Sequence, residues 1–379
     1  MRKRILLVCD VKGWGGWERA ENIKRHLSDE FDFDMMDSSE FKAWEEQSDS
    51  SFISVEEINF ILNKTRARFT KKMIPLPELL NFKKNKRTKD RPYDLYYLMF
   101  HTMLCAQDIK RVRYAGGKMF SVVTGAPVVK EVFDNERYAR NRHMAFKTLA
   151  SESVGMGANN ILSLNELAGL YDGPKYYIPR GVDPNFWQNN PDSWNSLYTD
   201  DGPKNFTALF CGKKNSGKGL NSVITPACQS DGLGPDRVNL LINQRNYTDA
   251  LTKEQMRDWY NQGHVYLVAS ETDGTPNPAL EAAACGRPII SNYIGNMPEF
   301  IKDGWNGFLV GRDPKQYRLK LKYLKENPDK CREMGENARK TVLENWTWEH
   351  SMEYERKALR DIFQLGDRKM NGNRNAPVM

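Results

Sequence analysis

The chain has 379 residues, 40% hydrophobic and 11% aromatic, with a formal net charge of +7. It is long enough for two domains of ordinary size and too apolar for a mainly disordered chain. No apolar run approaches the roughly 20 residues of a membrane-spanning helix, and the apolar stretch Ile5 to Cys9 behind the basic start is too short for a signal peptide, so a cytoplasmic protein is expected.

The first segment reads strand, glycine loop, helix. Ile5-Leu6-Leu7-Val8-Cys9 is a continuous apolar run of the kind buried on both faces of a parallel sheet. The loop holds Gly13, Gly15 and Gly16, and a helix is expected from about Trp17. Phe31 to Met35 alternates as a second strand. Residues 38–91 break the rhythm and read as a polar, then basic, insertion. Strand patterns resume at Asp94–Phe100 and Phe120–Thr124, and two more are read at Asn160–Ser163 and Tyr176–Ile178.

Residues 189–204 have the Asn, Asp, Ser, Gly and Pro content of a linker. Beyond it the opening pattern repeats: Thr207-Ala208-Leu209-Phe210-Cys211, a glycine and lysine loop from Gly212 to Gly219, then helical sequence. Two such starts on either side of a linker predict two α/β domains of doubly wound type, at 1–188 and 205–345, with ligands at the carboxyl ends of their strands. Trp348–Phe363 reads as a terminal helix, assigned to 346–365, and 366–379 as a frayed tail.

Six cysteines form no C-x-x-C pair, and no His stands at metal-ligand spacing, so buried thiols and no metal are expected. The charge is uneven. Residues 64–91 hold eleven Lys or Arg against Glu78 and Asp90, which leaves the remainder near neutral, with 45 basic and 47 acidic residues. This segment interleaves apolar residues with its charges and reads either as a solvated insertion or as a contact to an anionic membrane surface or acidic acceptor. No nucleic-acid-binding motif accompanies it, and no nucleic acid is expected.

The most informative stretch is His264 to Gly307. Val265–Ala269 is a strand and Ser270–Pro276 a turn. Asn277-Pro278 reads as an N-cap followed by proline in the first turn of a short alanine-rich helix, which Gly286 and Pro288 end before the strand Ile289–Ser291. A helix amino end attracts an anion. Asp273 and Glu281 flank the same spot; carboxylates repel phosphate and accept from hydroxyls, so the residues together describe a nucleotide sugar.

The stretch Ser270-x-x-Asp273-Gly274, Glu281-Ala282-x-Ala284-Cys285-Gly286-x-Pro288 resembles the signature of retaining glycosyltransferases of family four. Gly15-Gly16-Trp17-Glu18, Ile178-Pro179-Arg180-Gly181-Val182-Asp183 with Phe186, Gly212-Lys213 with Lys218-Gly219, and Gly295-x-x-Pro298-Glu299 resemble further segments of that family. The resemblance is strong from about residue 160 to 350. It implies the GT-B fold: two Rossmann-like, doubly wound domains facing a central cleft, with a C-terminal helix crossing back to the N-terminal domain. The first domain would take the acceptor and the second the donor.

The resemblance implies roles as well. Glu281 would hold the ribose hydroxyls, Asp273 would contact the donor hexose, and Lys213 and Lys218 would neutralise the diphosphate. Gly16 would let the acceptor approach, and Gly212, Gly274, Thr275, Asn277 and Ala279 would complete the donor cradle. His101, ending a strand, is the candidate for the family's N-domain histidine, although a packed strand-end residue is the favoured reading. The sequence departs from the family where Lys213 replaces Arg, Asp273 replaces Glu and Arg180 replaces Asn. The implied reaction moves a hexose from a UDP- or GDP-sugar to the hydroxyl of a sugar, lipid-linked or other acceptor, with retention and without metal or covalent cofactor. Rival readings are a nucleotide-sugar epimerase of the same fold and a non-catalytic nucleotide-sugar-binding protein. Gly212-x-x-x-x-Gly217-Lys218-Gly219 is close to a P-loop but lacks the Ser or Thr that would hold magnesium.

Overall fold

The computed structural model describes residues 2–9, 15–36, 93–99, 118–124, 146–199, 202–203, 205–212, 217–229, 238–244 and 251–370. The insertion expected at 38–91, with its basic run, lies outside these residues.

The first sheet is built from β1 (Lys3–Val8), β2 (Phe31–Met36), β3 (Leu95–Leu98), β4 (Lys118–Val123), β5 (Ser153–Ala158) and β6 (Lys175–Tyr177), in spatial order β2-β1-β3-β4-β5-β6. All its pairings are parallel. The unbroken apolar character of β1 follows from burial on both sides: Ile5 and Leu7 join one core cluster, Leu6 and Val8 another. Helix α1 (Gly15–Leu27) packs Ala20, Ile23 and Leu27 on the Ile5 side.

The second sheet repeats the plan with β7 (Thr207–Gly212), β8 (Asn239–Gln244), β9 (Val265–Val268), β10 (Ile289–Asn292) and β11 (Gly307–Val310), parallel throughout in the order β8-β7-β9-β10-β11. Leu209 and Cys211 of β7 face one core, Ala208 and Phe210 the other. In each sheet the chain order reverses around the first strand. The crevice beyond the carboxyl end of such a strand is where doubly wound sheets take ligands. Both glycine loops begin there, after β1 and after β7.

Several stretches differ from the sequence reading. Asn160–Ser163 is not a strand but the start of α2 (Ile161–Ala168), where the Asn160 side chain caps the Ser163 N–H at 2.8 Å. The strand lies just before it, in β5, whose Gly155 and Gly157 give no apolar run. They are small because Tyr176 of β6 and Ile178 just after it press on them. The linker at 189–204 contains a short helix, Pro191–Ser196, and a hairpin of Tyr198–Thr199 with Gly202–Pro203. Trp187, just before it, belongs to the second domain's core. The first helix starts at Gly15, two residues ahead of Trp17.

The remaining helices are α3 (Lys253–Tyr260), α4 (Asn277–Ala284), α5 (Met297–Phe300), α6 (Pro314–Glu326), α7 (Pro328–Asn345) and α8 (Trp348–Met370). Helix α8 therefore continues past the 365 boundary, through the first five residues expected as tail; residues 371–379 lie outside the described part. It returns to the first domain, setting Trp348, Met352, Ala358, Leu359, Ile362 and Phe363 into the cluster with Ile5 and Leu7. The two chain crossings between domains meet where the Val182 N–H donates to the Trp346 carbonyl at 2.9 Å and Ser351 Oγ donates to the Pro179 carbonyl.

Candidate active site

The second domain brings three carboxyl-end segments together: the loop after β7, the Ser270–Pro276 turn after β9, and the amino end of α4. Proline starts α4 and sets its geometry, but the cap is Pro276 and not Asn277. Asn277 is the first helical residue, and its Oδ1 is buried without a partner, as is Thr275 Oγ1. Pro278 has no N–H, and the Ala279 N–H donates to the Pro276 carbonyl at 2.8 Å. Ala279 therefore offers no free amide. The pull of α4 on an anion comes from its dipole and from Asn277.

Glu281 and Asn277 line a small, partly open pocket between the domains, together with Glu18, Arg180, Trp187 and Leu280. Tyr260 at the end of α3 donates its hydroxyl to Glu281 Oε2 at 2.6 Å. Across the cavity the chain approaches closely: a Cβ on Gly15 would come 3.0 Å from Asn277 Nδ2. Gly16 is buried beside it in α1.

Lys218 Nζ lies 2.5 Å from Asp273 Oδ2, so these two pair with each other. Ser270 Oγ adds a 3.5 Å contact to the same carboxylate oxygen. Gly219 holds the lysine loop in place at a φ of +80°, with the space for its Cβ taken by the Ala269 carbonyl. Gly212 ends β7 at the mouth of this loop. Lys213 and His101 lie outside the described residues.

Gly274 and Glu299 serve the domain contact. The Gly274 carbonyl accepts from Asn160 Nδ2 of the first domain at 3.0 Å and from the Asn296 N–H at 3.1 Å. Glu299 accepts from the Ile161 N–H at 2.6 Å and the Tyr177 hydroxyl at 2.5 Å. Burial raises its carboxyl above the ordinary range, against those two hydrogen bonds.

Sequence reasoning gave no site role to Glu18, Arg180, Tyr260 or Lys253. Arg180 Nη1 donates to the Gly15 carbonyl at 2.8 Å, its Nη2 pairs with Glu18, and its guanidinium lies 5.1 Å from the Trp348 ring centroid. Burial lowers its pKa from the usual guanidinium value, while Glu18 and Glu281 act in the opposite sense. The other oxygen of Glu18 takes Lys253 Nζ from the second domain at 2.8 Å. The signal for Arg180 was present as an arginine in a position where the resembling family has asparagine. Tyr260 carried none. Among the described residues no group of three or more His, Cys, Asp or Glu is placed to hold a metal ion, and no helix is long and apolar enough to cross a membrane.

Residues 227–355 match a family model described as glycosyl transferase-like. The chain is 30% identical over 111 residues to a D-inositol 3-phosphate glycosyltransferase of Streptomyces bingchenggensis, covering 27% of this chain and 24% of that protein. A protein of the same description from Streptomyces coelicolor is 34% identical over 87 residues, or 23% of this chain and 19% of that protein. The matched segments thus span no more than about a quarter of those relatives. Structural likeness reaches further. Sucrose-phosphate synthase from Thermosynechococcus elongatus superposes with a TM-score of 0.68 at 17% identity over 96% of this chain and 100% of that one. Anabaena HepE in complex with UDP-glucose gives 0.64 at 17% identity, over 95% and 100%. The chain has the GT-B fold, two Rossmann-like domains closed over one cleft, and its second domain carries a glycosyl transferase-like sequence.

Proposed function

We propose that the chain is a retaining glycosyltransferase that moves a hexose from a nucleotide-diphosphate sugar to an acceptor hydroxyl, without a metal ion. The observation that carries this reading is the cavity where Glu281 and Asn277, at the amino end of α4, meet Arg180 and the glycine-led start of α1. A diphosphate set against α4 has the helix dipole and Lys218 to balance its charge. Glu281 is then in position to accept from ribose hydroxyls and Asp273 from the hexose. Loss of the sugar leaves a nucleoside diphosphate with added negative charge, and Lys218 exchanges Asp273 for that phosphate. The HepE complex holds UDP-glucose, which favours a UDP-sugar over a GDP-sugar as donor.

The acceptor is a sugar, a lipid-linked molecule or another hydroxyl compound entering from the first domain. The basic segment 64–91 would place the enzyme against an anionic membrane surface on the cytoplasmic side. The test is a transfer assay with UDP- and GDP-sugars in the presence and absence of EDTA, the product anomer being read by NMR. Acceptor-dependent nucleotide release, EDTA resistance and a retained anomer support the reading. An inverted product, or Glu281→Ala with unchanged donor affinity, rejects it.

A further inference from the structure

We propose that Tyr260 is a positioning residue that sets the preference of this site for a ribonucleotide over a 2′-deoxyribonucleotide, by fixing the rotamer of Glu281. The proposal rests on the reading that Glu281 meets the ribose. A carboxylate that grips two vicinal hydroxyls must present one oxygen edge in a set direction, and a glutamate on a helix surface has three rotatable bonds with which to lose it. Here the Tyr260 hydroxyl donates to Oε2 at 2.6 Å, the length of a charge-assisted bond, and so selects one orientation.

The tyrosine is itself unable to wander. It is fully buried, with its ring centroid 5.6 Å from that of Trp187, 5.3 Å from Trp259 and 6.0 Å from Tyr266. Its carbonyl accepts from Arg287 Nε at 3.1 Å, and Arg287 Nη2 is tied in turn to Asn261 Oδ1 at 2.9 Å. Arg287 lies in the turn that ends α4, so the helix bearing Glu281 and the residue that steers Glu281 are fastened to each other twice. Arg180 lies on the wall of the same pocket and is felt electrostatically by Glu281. A ribose offers two hydroxyl donors to the Glu281 carboxylate and a 2′-deoxyribose one. The loss leaves an oriented acceptor without its partner.

The experiment measures Kd by calorimetry for UDP, GDP and ADP and for their 2′-deoxy counterparts, with the full chain, Tyr260→Phe and Glu281→Gln. Tyr260→Phe deletes only the hydroxyl and leaves the ring packed. The expected result is a wild-type preference for the ribo form of at least about ten-fold. It falls about five-fold in Tyr260→Phe, with the 2′-deoxy affinity unchanged. A Tyr260→Phe variant that keeps the full ratio, or that weakens both forms equally, overturns the proposal. Glu281→Gln separates the two levels. If it retains the ribo preference, or if the wild type shows none, the reading of Glu281 fails. If it loses the preference while Tyr260→Phe keeps it, only the role given to Tyr260 fails.

Discussion

Lys218 Nζ lies 2.5 Å from Asp273 Oδ2, so this lysine already has a carboxylate to balance it. A site built this way holds little net charge at rest and can release the lysine to a phosphate without first stripping its water. Lys218→Met is expected to lower kcat/KM by 100-fold or more, on the order of removing one group that stabilises a developing anion. The lysine is 34% exposed, so stability should change by less than about 1 kcal/mol. Steady-state kinetics and a thermal melt on the same preparation check both halves. A large loss of stability with little loss of rate would make the pair a structural one.

Arg180 and Glu18 form a partly buried counterpart. Their side chains are 11% and 22% exposed, and Arg180 also holds the Gly15 carbonyl. Arg180→Met alone is expected to cost about 2 kcal/mol, because the partly buried Glu18 carboxylate loses its guanidinium partner while keeping Lys253. Glu18→Gln combined with Arg180→Met should cost less than the sum of the two single changes. Urea unfolding of the four proteins measures the coupling, and additive costs would refute it.

His264 predicts an acid limit to stability. It lies at the base of β9, with its Nδ1 accepting from the Thr207 N–H at 3.0 Å and its ring stacked on Phe206. Burial pulls its pKa down to about 4. A histidine kept neutral in the fold stabilises fully above its unfolded value near 6.5, and that stability is lost as pH falls toward 4. The loss over this window is expected to be about 3 kcal/mol. Melts from pH 7 to 4 should show this slope in the wild type and a shallower one in His264→Gln.

Gly219→Ala tests the lysine loop. The residue sits at a φ of +80°, and a Cβ there would come 2.2 Å from the Ala269 carbonyl oxygen. The left-handed backbone alone costs about 1 kcal/mol for a non-glycine residue, and the contact forces the loop to move. The expected outcome is a folded protein, by circular dichroism, that loses at least ten-fold in donor affinity by displacing Lys218. Unchanged affinity would detach this loop from the site.

The doubly wound plan was legible because β1 and β7 are apolar on both faces and each is followed by glycines, a pattern that buried parallel strands require. The α4 unit was legible for the same local reasons, since Pro278 and Gly286 punctuate it. Strand β5 was not, because its glycines answer to Tyr176 and Ile178, which approach only in the folded sheet. The α2 cap was misread because Ile161 and Leu162 are apolar yet exposed, at 47% and 45%, and apolar runs suggest burial. At the site, Asn277 and Glu281 could be named from the motif. The Arg180–Glu18 pair and the Tyr260 hydroxyl could not, because their partners lie 162 and 21 residues away in the chain.

The return of α8 to the first sheet has a consequence for biosynthesis. A ribosome delivers β1 and α1 ahead of the second domain, but the surface of Ile5, Leu7 and Phe120 that α8 covers must wait until residues 348–363 have emerged. The leading domain is thus completed after the trailing one, and premature termination anywhere before Trp348 leaves it greasy and unfinished, a substrate for quality control rather than a free-standing half.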